Sequence, residues 1–464
     1  MLTRLEVNGF KNLLDLTVEF GPFTCIAGEN GTGKSNVFDA IQFLSLLADL
    51  PMLEAAQRMR GVHDERTGDP RDLFWNGYAA AERRMSFAAE MIVPPIVTDD
   101  LGRQATPRAT FLRYEVEIGY LPPEGAERLG RLWLARESLV AADRGRIRFP
   151  RHTERLLARL LWGRDDDVFI SSADTDSGPR IQLHGPPGMA PTVVAGAPPS
   201  AVVRIANSIE NPTLLAARRE LQSWRRLALE PTALRTADRY TDPTTMGPDG
   251  RHLAATLYRV AAMSGAEDPT AVYARVANRL AELTGVPVRT IEVIADDVRE
   301  LLSVELTETS GMRLPARSLS EGSLRFLALC VLLEDPSTGG LFCMEEPENG
   351  IHPSNLPAMV DLVRSLAVDP TEAPGDDNPF RQVIINTHSP GVVQLVDPAD
   401  LLFATPGRAV SPDGAISRSL ALRPLTGTWR EATPAQVDGM TKADILPYLA
   451  KQPGARLSLG PDAA

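Results

Sequence analysis

Cysteine is scarce. Three occur in 464 residues, at positions 25, 330 and 343. No two form a C-x-x-C pair, and all three sit in apolar segments, so they read as buried small hydrophobes in a reducing cytoplasm. Long apolar runs are also missing. No stretch reaches the ~18–20 residues of a membrane span, and Met1 to Glu6 lacks the long apolar core of a signal peptide. The expected location is cytoplasmic, with no membrane partner. Positive charge is in deficit: the net charge of −12 argues against a wholly basic nucleic-acid coat, though not against a local basic face. No heptads are sustained, so no long coiled-coil arm is encoded, and no internal repeat is visible. What is present is an ordinary globular composition, 43% hydrophobic and 23% charged, in a chain long enough for two or three cores.

The organising stretch is Gly28-Glu29-Asn30-Gly31-Thr32-Gly33-Lys34-Ser35, which fits G-x-x-x-x-G-K-[ST]. Glycines let the backbone reach positive φ and approach a ligand closely. The turn aims N–H groups at phosphate oxygens, and the following helix adds its positive end. Lys34 supplies a point charge for the β and γ phosphates, and Ser35 a hydroxyl for Mg²⁺. The context agrees. Phe23 to Ala27 reads as an apolar strand, and residues 36–48 as a helix with apolar residues at helical spacing.

Around this loop, 2–8 and 13–20 alternate as two strands of a hairpin turned at Gly9-Phe10-Lys11-Asn12. A polar, Arg-rich stretch runs from Pro51 to about residue 72. Residues 84–93 and 110–120 read as antiparallel strands. Ten arginines and three acidic residues lie between Arg128 and Arg164. That run serves either as a solvated face or as a set of phosphate contacts with nucleic acid. Residues 175–200 are rich in Gly, Pro and Ala and read as a loop. Helical spacing covers 214–229, 253–260 and 272–283, while 286–294 and 301–306 look like strands.

Three further motifs follow. Leu341 to Met344 is an apolar strand ending in Glu345 and Glu346; the first carboxylate can hold Mg²⁺ and the second can orient water or take its proton. Gln382 to Thr387 is another apolar strand, ending at His388, which could donate to a γ-phosphate. Ser320-Glu321-Gly322-Ser323 opens a helix over 324–333; small residues there make an anion site or a plain N-cap.

Taken together these elements resemble the ABC-type ATPases of the RecF/SMC/Rad50 class, and more closely the stand-alone bacterial AAA family ATPases related to the ATPase half of OLD nucleases. The resemblance is carried by Gly9 to Asn12, Gly28 to Asn36, Leu319 to Ser323, Cys343 to Pro353 and Asn386 to Ser389. It implies an α/β fold, a P-loop NTPase of the ABC type with a mixed central sheet, an antiparallel β subdomain and a helical insert. The units expected are 1–125, an N-terminal ATPase lobe; 126–284, a largely helical insert with a Gly/Pro-rich loop; 285–405, a C-terminal ATPase lobe; and 406–464, an extension.

The resemblance also implies the site. ATP and Mg²⁺ are the expected cofactors. Asn30, Gly31, Thr32, Gly33, Lys34, Ser35, Asn36 and Lys11 would bind nucleotide, with Ser320 and Gly322 reaching the nucleotide of a second subunit. Ser35 and Glu345 would hold the metal, Glu346 is the expected catalytic carboxylate, and His388 senses the γ-phosphate. Two departures are visible: Glu345 replaces the usual Asp, and the signature reads Leu-Ser-Glu-Gly-Ser. The Q-loop glutamine has no clear counterpart; Asn76 is its only plausible substitute. The expected function is a nucleotide-gated dimeric switch, a homodimer or assembly of dimers, in a DNA-related or defence complex. Nucleic acid is a possible partner. No E…D-x-D arrangement follows His388, so an effector nuclease is expected on a separate chain. A scaffold with little turnover and a transporter ATPase subunit are the alternatives. The long separation of Gly33 from Ser320 disfavours the latter.

Overall fold

The computed structural model describes residues 1–59, 69–75, 83–123, 130–148, 154–175, 178–185, 192–194, 200–205, 210–263, 269–410, 414, 416–432 and 439–450. Asn76, Arg128, Arg151 and half of 175–200 lie outside them. In chain order the strands used below are β1 (Leu2–Asn8), β2 (Leu16–Glu19), β3 (Phe23–Ala27), β4 (Arg83–Ile92), β5 (Phe111–Leu121), β6 (Arg131–Ala141), β7 (Val168–Thr175), β8 (Gly178–Leu183) and β9 (Thr192–Val194). They continue as β10 (Arg225–Leu227), β11 (Val288–Asp296), β12 (Leu301–Glu308), β13 (Gly340–Glu345), β14 (Arg381–Thr387), β15 (Leu401–Val410) and β16 (Ile416–Pro424). The helices used are α1 (Lys34–Leu47), α2 (Pro212–Gln222), α3 (Leu253–Met263), α4 (Pro269–Thr284), α5 (Glu321–Glu334), α6 (Leu356–Ser365) and α7 (Lys442–Leu449).

The centre is a six-stranded sheet in the order β10-β13-β14-β3-β15-β16. Its first five strands run parallel, and β16 returns antiparallel to β15. Strands β3 and β14 are buried at every position, as parallel strands covered on both faces must be. Alternation then sends successive side chains into two different cores. Ile26, Cys343, Ile384 and Leu402 face α1 and the N-terminal sheet. Cys25, Met344, Ile385 and Phe403 face the layer formed by α3 to α6. A smaller antiparallel sheet built on β11 and β12 packs with that helical layer.

The second large sheet has eight strands in the order β9-β8-β7-β6-β5-β4-β1-β2, all antiparallel. Its inner face is tied to α1 by an aromatic cluster. Phe43 lies 5.8 Å from Phe10 and 5.7 Å from Phe87. The two sheets are also pinned through Gln382 on β14, whose side chain accepts from Leu2 N–H and donates to the carbonyls of Leu2 and Gly21.

Two segments differ from expectation. The insert 126–284 is not largely helical in its first half, where β6 to β9 extend the antiparallel sheet. A β-bulge between Glu117 and Ile118 interrupts the register of the β5–β6 pair, and the buried charge of Glu137 hides the strand period. The helical pattern at 214–229 stops at Gln222, and Arg225–Leu227 becomes the edge strand β10 beside β13. The arginine run does not form one uniform strip: Arg144 pairs with Asp165, and Arg146 sits 3.5 Å from Glu90.

Glu137 on β6 is fully buried and holds the turn at 202–203 to the sheet. Its carboxylate accepts from the N–H groups of Val202 and Val203 and from the Tyr114 hydroxyl. Burial pushes its carboxyl up to about 7. The folded protein therefore keeps this proton up to about pH 7, whereas the unfolded chain releases it near the ordinary value of 4.5. Between those pH values the unfolded state binds fewer protons, so stability is expected to fall as pH rises, by roughly 1.4 kcal/mol per unit from this group. Urea melts from pH 4.5 to 7.5 should show that slope, and Glu137→Gln should flatten it; an unchanged slope in the variant would refute the assignment.

Candidate functional site

Parallel pairing sets the geometry of the site. Glu345 at the end of β13 is in register with Asn386 on β14, and Asn386 with Ile26 on β3. The carboxyl ends of the three strands therefore lie level, and the loops leaving them open into one cleft of about 710 Å³. That volume is typical of a small-molecule site.

The loop after β3 is shaped before any ligand arrives. Gly28, Gly31 and Gly33 have φ of 155°, 77° and 101°. Gly33 is the N-cap of α1 in the left-handed region, and a Cβ there would stand 2.2 Å from Asn12 Nδ2. No other residue fits that position without displacing Asn12. Asn12 braces the loop: its Nδ2 donates to the Thr32 carbonyl at 3.1 Å, and its Oδ1 accepts from Asn36 at 2.7 Å. Thr32 Oγ1 closes the turn on the Glu29 carbonyl at 2.9 Å. Lys34 is folded against the loop, its Nζ donating to the carbonyls of Gly28 and Glu29 at 2.7 and 2.8 Å. Burial lowers its pKa, opposed by the carboxylates of Glu346, Glu348, Glu345 and Glu29.

The acidic wall is equally constrained. Glu346 has φ of 44°, a left-handed conformation that costs a non-glycine residue about 1–2 kcal/mol. It is held there by its N–H, shared between the Asn386 carbonyl at 3.0 Å and Asn386 Oδ1 at 3.1 Å. Its carboxylate takes His388 Nδ1 on one oxygen at 2.6 Å and Asn349 Nδ2 on the other at 2.8 Å. Opposite an ionised carboxylate, Nδ1 must carry the proton; Nε2 can then donate only from the doubly protonated ring. Behind this pair, Glu348 is buried, accepts from the Thr387 hydroxyl, and has its carboxyl raised by burial.

The cleft thus brings together Asn30, Gly31, Gly33, Lys34, Ser35 and Asn36 with Glu345 at the end of β13 and Glu346 just after it. Several expected residues stand elsewhere. Lys11 does not line it; its Nζ is 2.6 Å from Asp39 Oδ2 on α1. Thr32 closes the loop from behind, and His388 meets the cleft through Glu346. Ser320 is exposed and caps α5, accepting from Ser323 N–H at 3.1 Å. Gly322 faces the 349–350 turn, where a Cβ would meet the Gly350 carbonyl at 3.2 Å. Among the other lining residues, sequence reasoning did not assign Asn12, Asn386, Arg325 and Arg226. Only the strand context of Asn386 signalled its place.

The donor set suits a magnesium nucleotide. Exposed loop N–H groups and Lys34 fit phosphate, while the Ser35 hydroxyl and Glu345 carboxylate are the hard oxygen donors Mg²⁺ prefers.

Fold and site together define a P-loop NTPase of the ABC type. Comparison with known proteins narrows this. A family described as "AAA domain, putative AbiEii toxin, Type IV TA system" matches residues 212–394, and a second AAA-domain family matches 4–54. A DNA replication and repair protein RecF of Phocaeicola vulgatus is 29% identical over 84 residues, which is 16% of this chain and 23% of that protein. The match therefore spans about a quarter of its relative. The matched segments are similar to AAA-domain ATPases and to RecF. Among solved structures, an Smc head bound to the C-winged helix domain of ScpA overlays with TM-score 0.43 and 14% identity, covering 90% of this chain and 97% of that one. The Pyrococcus furiosus Smc head bound to the C-terminal domain of ScpA gives 0.41 and 12%, covering 91% and 96%. The Thermotoga maritima SMC head gives 0.34 and 13%, covering 91% and 98%. These overlays are too loose to transfer a contact or a partner.

Because Glu346 is held in a left-handed conformation, replacing it tests the strain directly. Glu346→Gly should be more stable than Glu346→Ala by roughly 1 kcal/mol, since glycine adopts positive φ freely. Chemical denaturation of the two variants measures this, and a more stable alanine variant would contradict the strained geometry.

Proposed function

We propose that this chain binds and hydrolyses ATP and works as a nucleotide-gated dimeric switch. The carrying observation is the Glu346–His388 pair, 2.6 Å apart at the ends of adjacent parallel strands, with Glu346 lining the cleft together with Lys34. Both Glu346 oxygens already have one donor, yet each keeps a lone pair. One can therefore accept the proton of a water placed over the cleft. His388 fixes that carboxylate's orientation through Nδ1. Lys34 and the loop N–H groups hold the phosphates, and Ser35 and Glu345 would hold Mg²⁺. The metal, when bound, supplies charge neutralisation at the phosphates.

The dimer rests on the placing of α5. Ser320 is exposed at the start of a 14-residue helix and does not line its own chain's cleft. A two-fold partner would present that helix start to the nucleotide held by the other subunit. ATP then becomes part of the interface and favours closure, and its hydrolysis releases it. The biological setting follows from related proteins only. One matched family is described as a putative AbiEii toxin of a type IV TA system, and RecF as a replication and repair protein. Those descriptions support a role in defence or DNA maintenance. Among the described residues, no helix is long and apolar enough to cross a membrane.

Glu346→Gln should bind ATP as the parent does and lose hydrolysis by about 10²–10⁴-fold, because an amide cannot accept the proton. Nucleotide affinity and phosphate release measured side by side decide it. Turnover at the parental rate would remove Glu346 from the chemistry.

A further inference from the structure

A line of alternating charges runs from Lys11 and Asp39 outside the cleft to Arg226 and Glu345 in its lining. Lys11 Nζ is 2.6 Å from Asp39 Oδ2. Asp39 Oδ1 is 3.6 Å from Arg226 Nη1, and Arg226 Nη2 donates to Glu345 Oε2 at 2.8 Å. Asp39 stands one helical turn after Ser35, on the same side of α1. It is 1% exposed, and the Arg226 side chain is 18% exposed. Arg226 belongs to the short edge strand β10, paired in parallel with β13, so its guanidinium is delivered beside the last residue of that strand. It lines the cleft together with Ser35 and Glu345.

Glu345 and Ser35 are the oxygen donors that suit a divalent cation. A guanidinium and a divalent ion compete for one carboxylate: both seek its oxygens, and held side by side they repel. Asp39 is already shared with Lys11 and cannot take up the whole charge of Arg226. The remaining anions that can enter this cleft are the phosphates of a nucleotide, for which the planar guanidinium fork is well matched.

We propose that Arg226 is an exchangeable counter-charge for the metal site: it neutralises Glu345 in the metal-free protein and transfers to nucleotide phosphate oxygens when the divalent ion takes Glu345. This rests on the reading of Glu345 as a metal ligand. The transfer gives β10 and the residues after it, Ala228 to Glu230, which also line the cleft, a different set of contacts in the loaded and empty states. The metal site is thereby electrically quiet until nucleotide arrives, and metal affinity becomes coupled to nucleotide affinity.

Direct titration of Mn²⁺ into the nucleotide-free full chain, followed by electron paramagnetic resonance, tests this. Arg226→Gln should bind Mn²⁺ about tenfold tighter than the parent, a coupling of ordinary size. Arg325→Gln removes the same charge from the same cleft but from a side chain that contacts the Asn349 carbonyl, and should tighten binding far less. Glu345→Gln should weaken Mn²⁺ binding, alone and in combination with Arg226→Gln. If Arg226→Gln does not fold, Arg226→Lys serves in the same titration: it loses the fork, keeps a point charge, and should bind Mn²⁺ a few-fold tighter than the parent. Arg226 variants that match the parent, or tighten no more than Arg325→Gln, would overturn the exchange while leaving Glu345 as a ligand. Parental Mn²⁺ affinity in Glu345→Gln would overturn the metal reading itself.

Discussion

The parallel register of β13, β14 and β3 is the constraint on which the site depends. Main-chain pairing places Glu345 level with Asn386 and Asn386 level with Ile26. A slip of one residue would exchange the two faces of the strand and move every core side chain to the wrong side. Such a slip is opposed twice, because the sheet separates two cores. Cys343 and Ile384 belong to one, and Met344 and Ile385 to the other. The packing that stabilises the fold is therefore also what keeps a carboxylate, an asparagine and a glycine-rich loop at one level.

Strain and charge are concentrated where the strands end. Glu346 is held at positive φ by Asn386, His388 and Asn349. Lys34 rests on loop carbonyls that phosphate oxygens would replace, and Glu345 rests on Arg226. Lys34 and Glu345 each have a partner from their own chain that phosphate oxygens and a divalent ion, respectively, would replace, whereas Glu346 keeps His388 and Asn349. Burial of Lys34 lowers its pKa and the nearby carboxylates oppose the shift, so the acidic wall helps keep the lysine charged. The left-handed turn after β13 gives the two consecutive glutamates different partners, Arg226 for Glu345 and His388 with Asn349 for Glu346.

Much of this was legible in the sequence because some backbone tasks admit few residue types. The loop from Gly28 to Ser35 needs glycine at positive φ and a lysine opening the helix, so its residues announce it. The apolar strands ending in Glu345 and His388 are recognisable because parallel strands buried on both faces read as continuous apolar runs. The remainder failed for physical reasons. β10 is three residues long, too short to show a period, and Arg226 on it looks like a surface residue until β13 is placed beside it. Asn12 braces a loop twenty residues away, a purely tertiary contact. Lys11 lies next to it; the resemblance implied a nucleotide contact for it, and in the structure its Nζ is 2.6 Å from Asp39 Oδ2. The period of β6 was hidden by the bulge in its pairing with β5 and by the buried charge of Glu137, and β9 is only three residues long.

The central claim is that the site becomes complete only when a second copy supplies its Ser320–Gly322 helix start. Mixing Ser320→Arg protein with Lys34→Ala protein tests this most directly. Each variant alone should hydrolyse little ATP: one lacks a usable helix start, and the other lacks the phosphate-binding lysine. In the mixed dimer, one of the two shared sites pairs an intact loop with an intact helix start, and the other carries both lesions. The account predicts partial recovery of ATPase activity on mixing, above that of either variant alone. Full activity in Ser320→Arg protein by itself would show that one chain holds the whole site and would contradict the account.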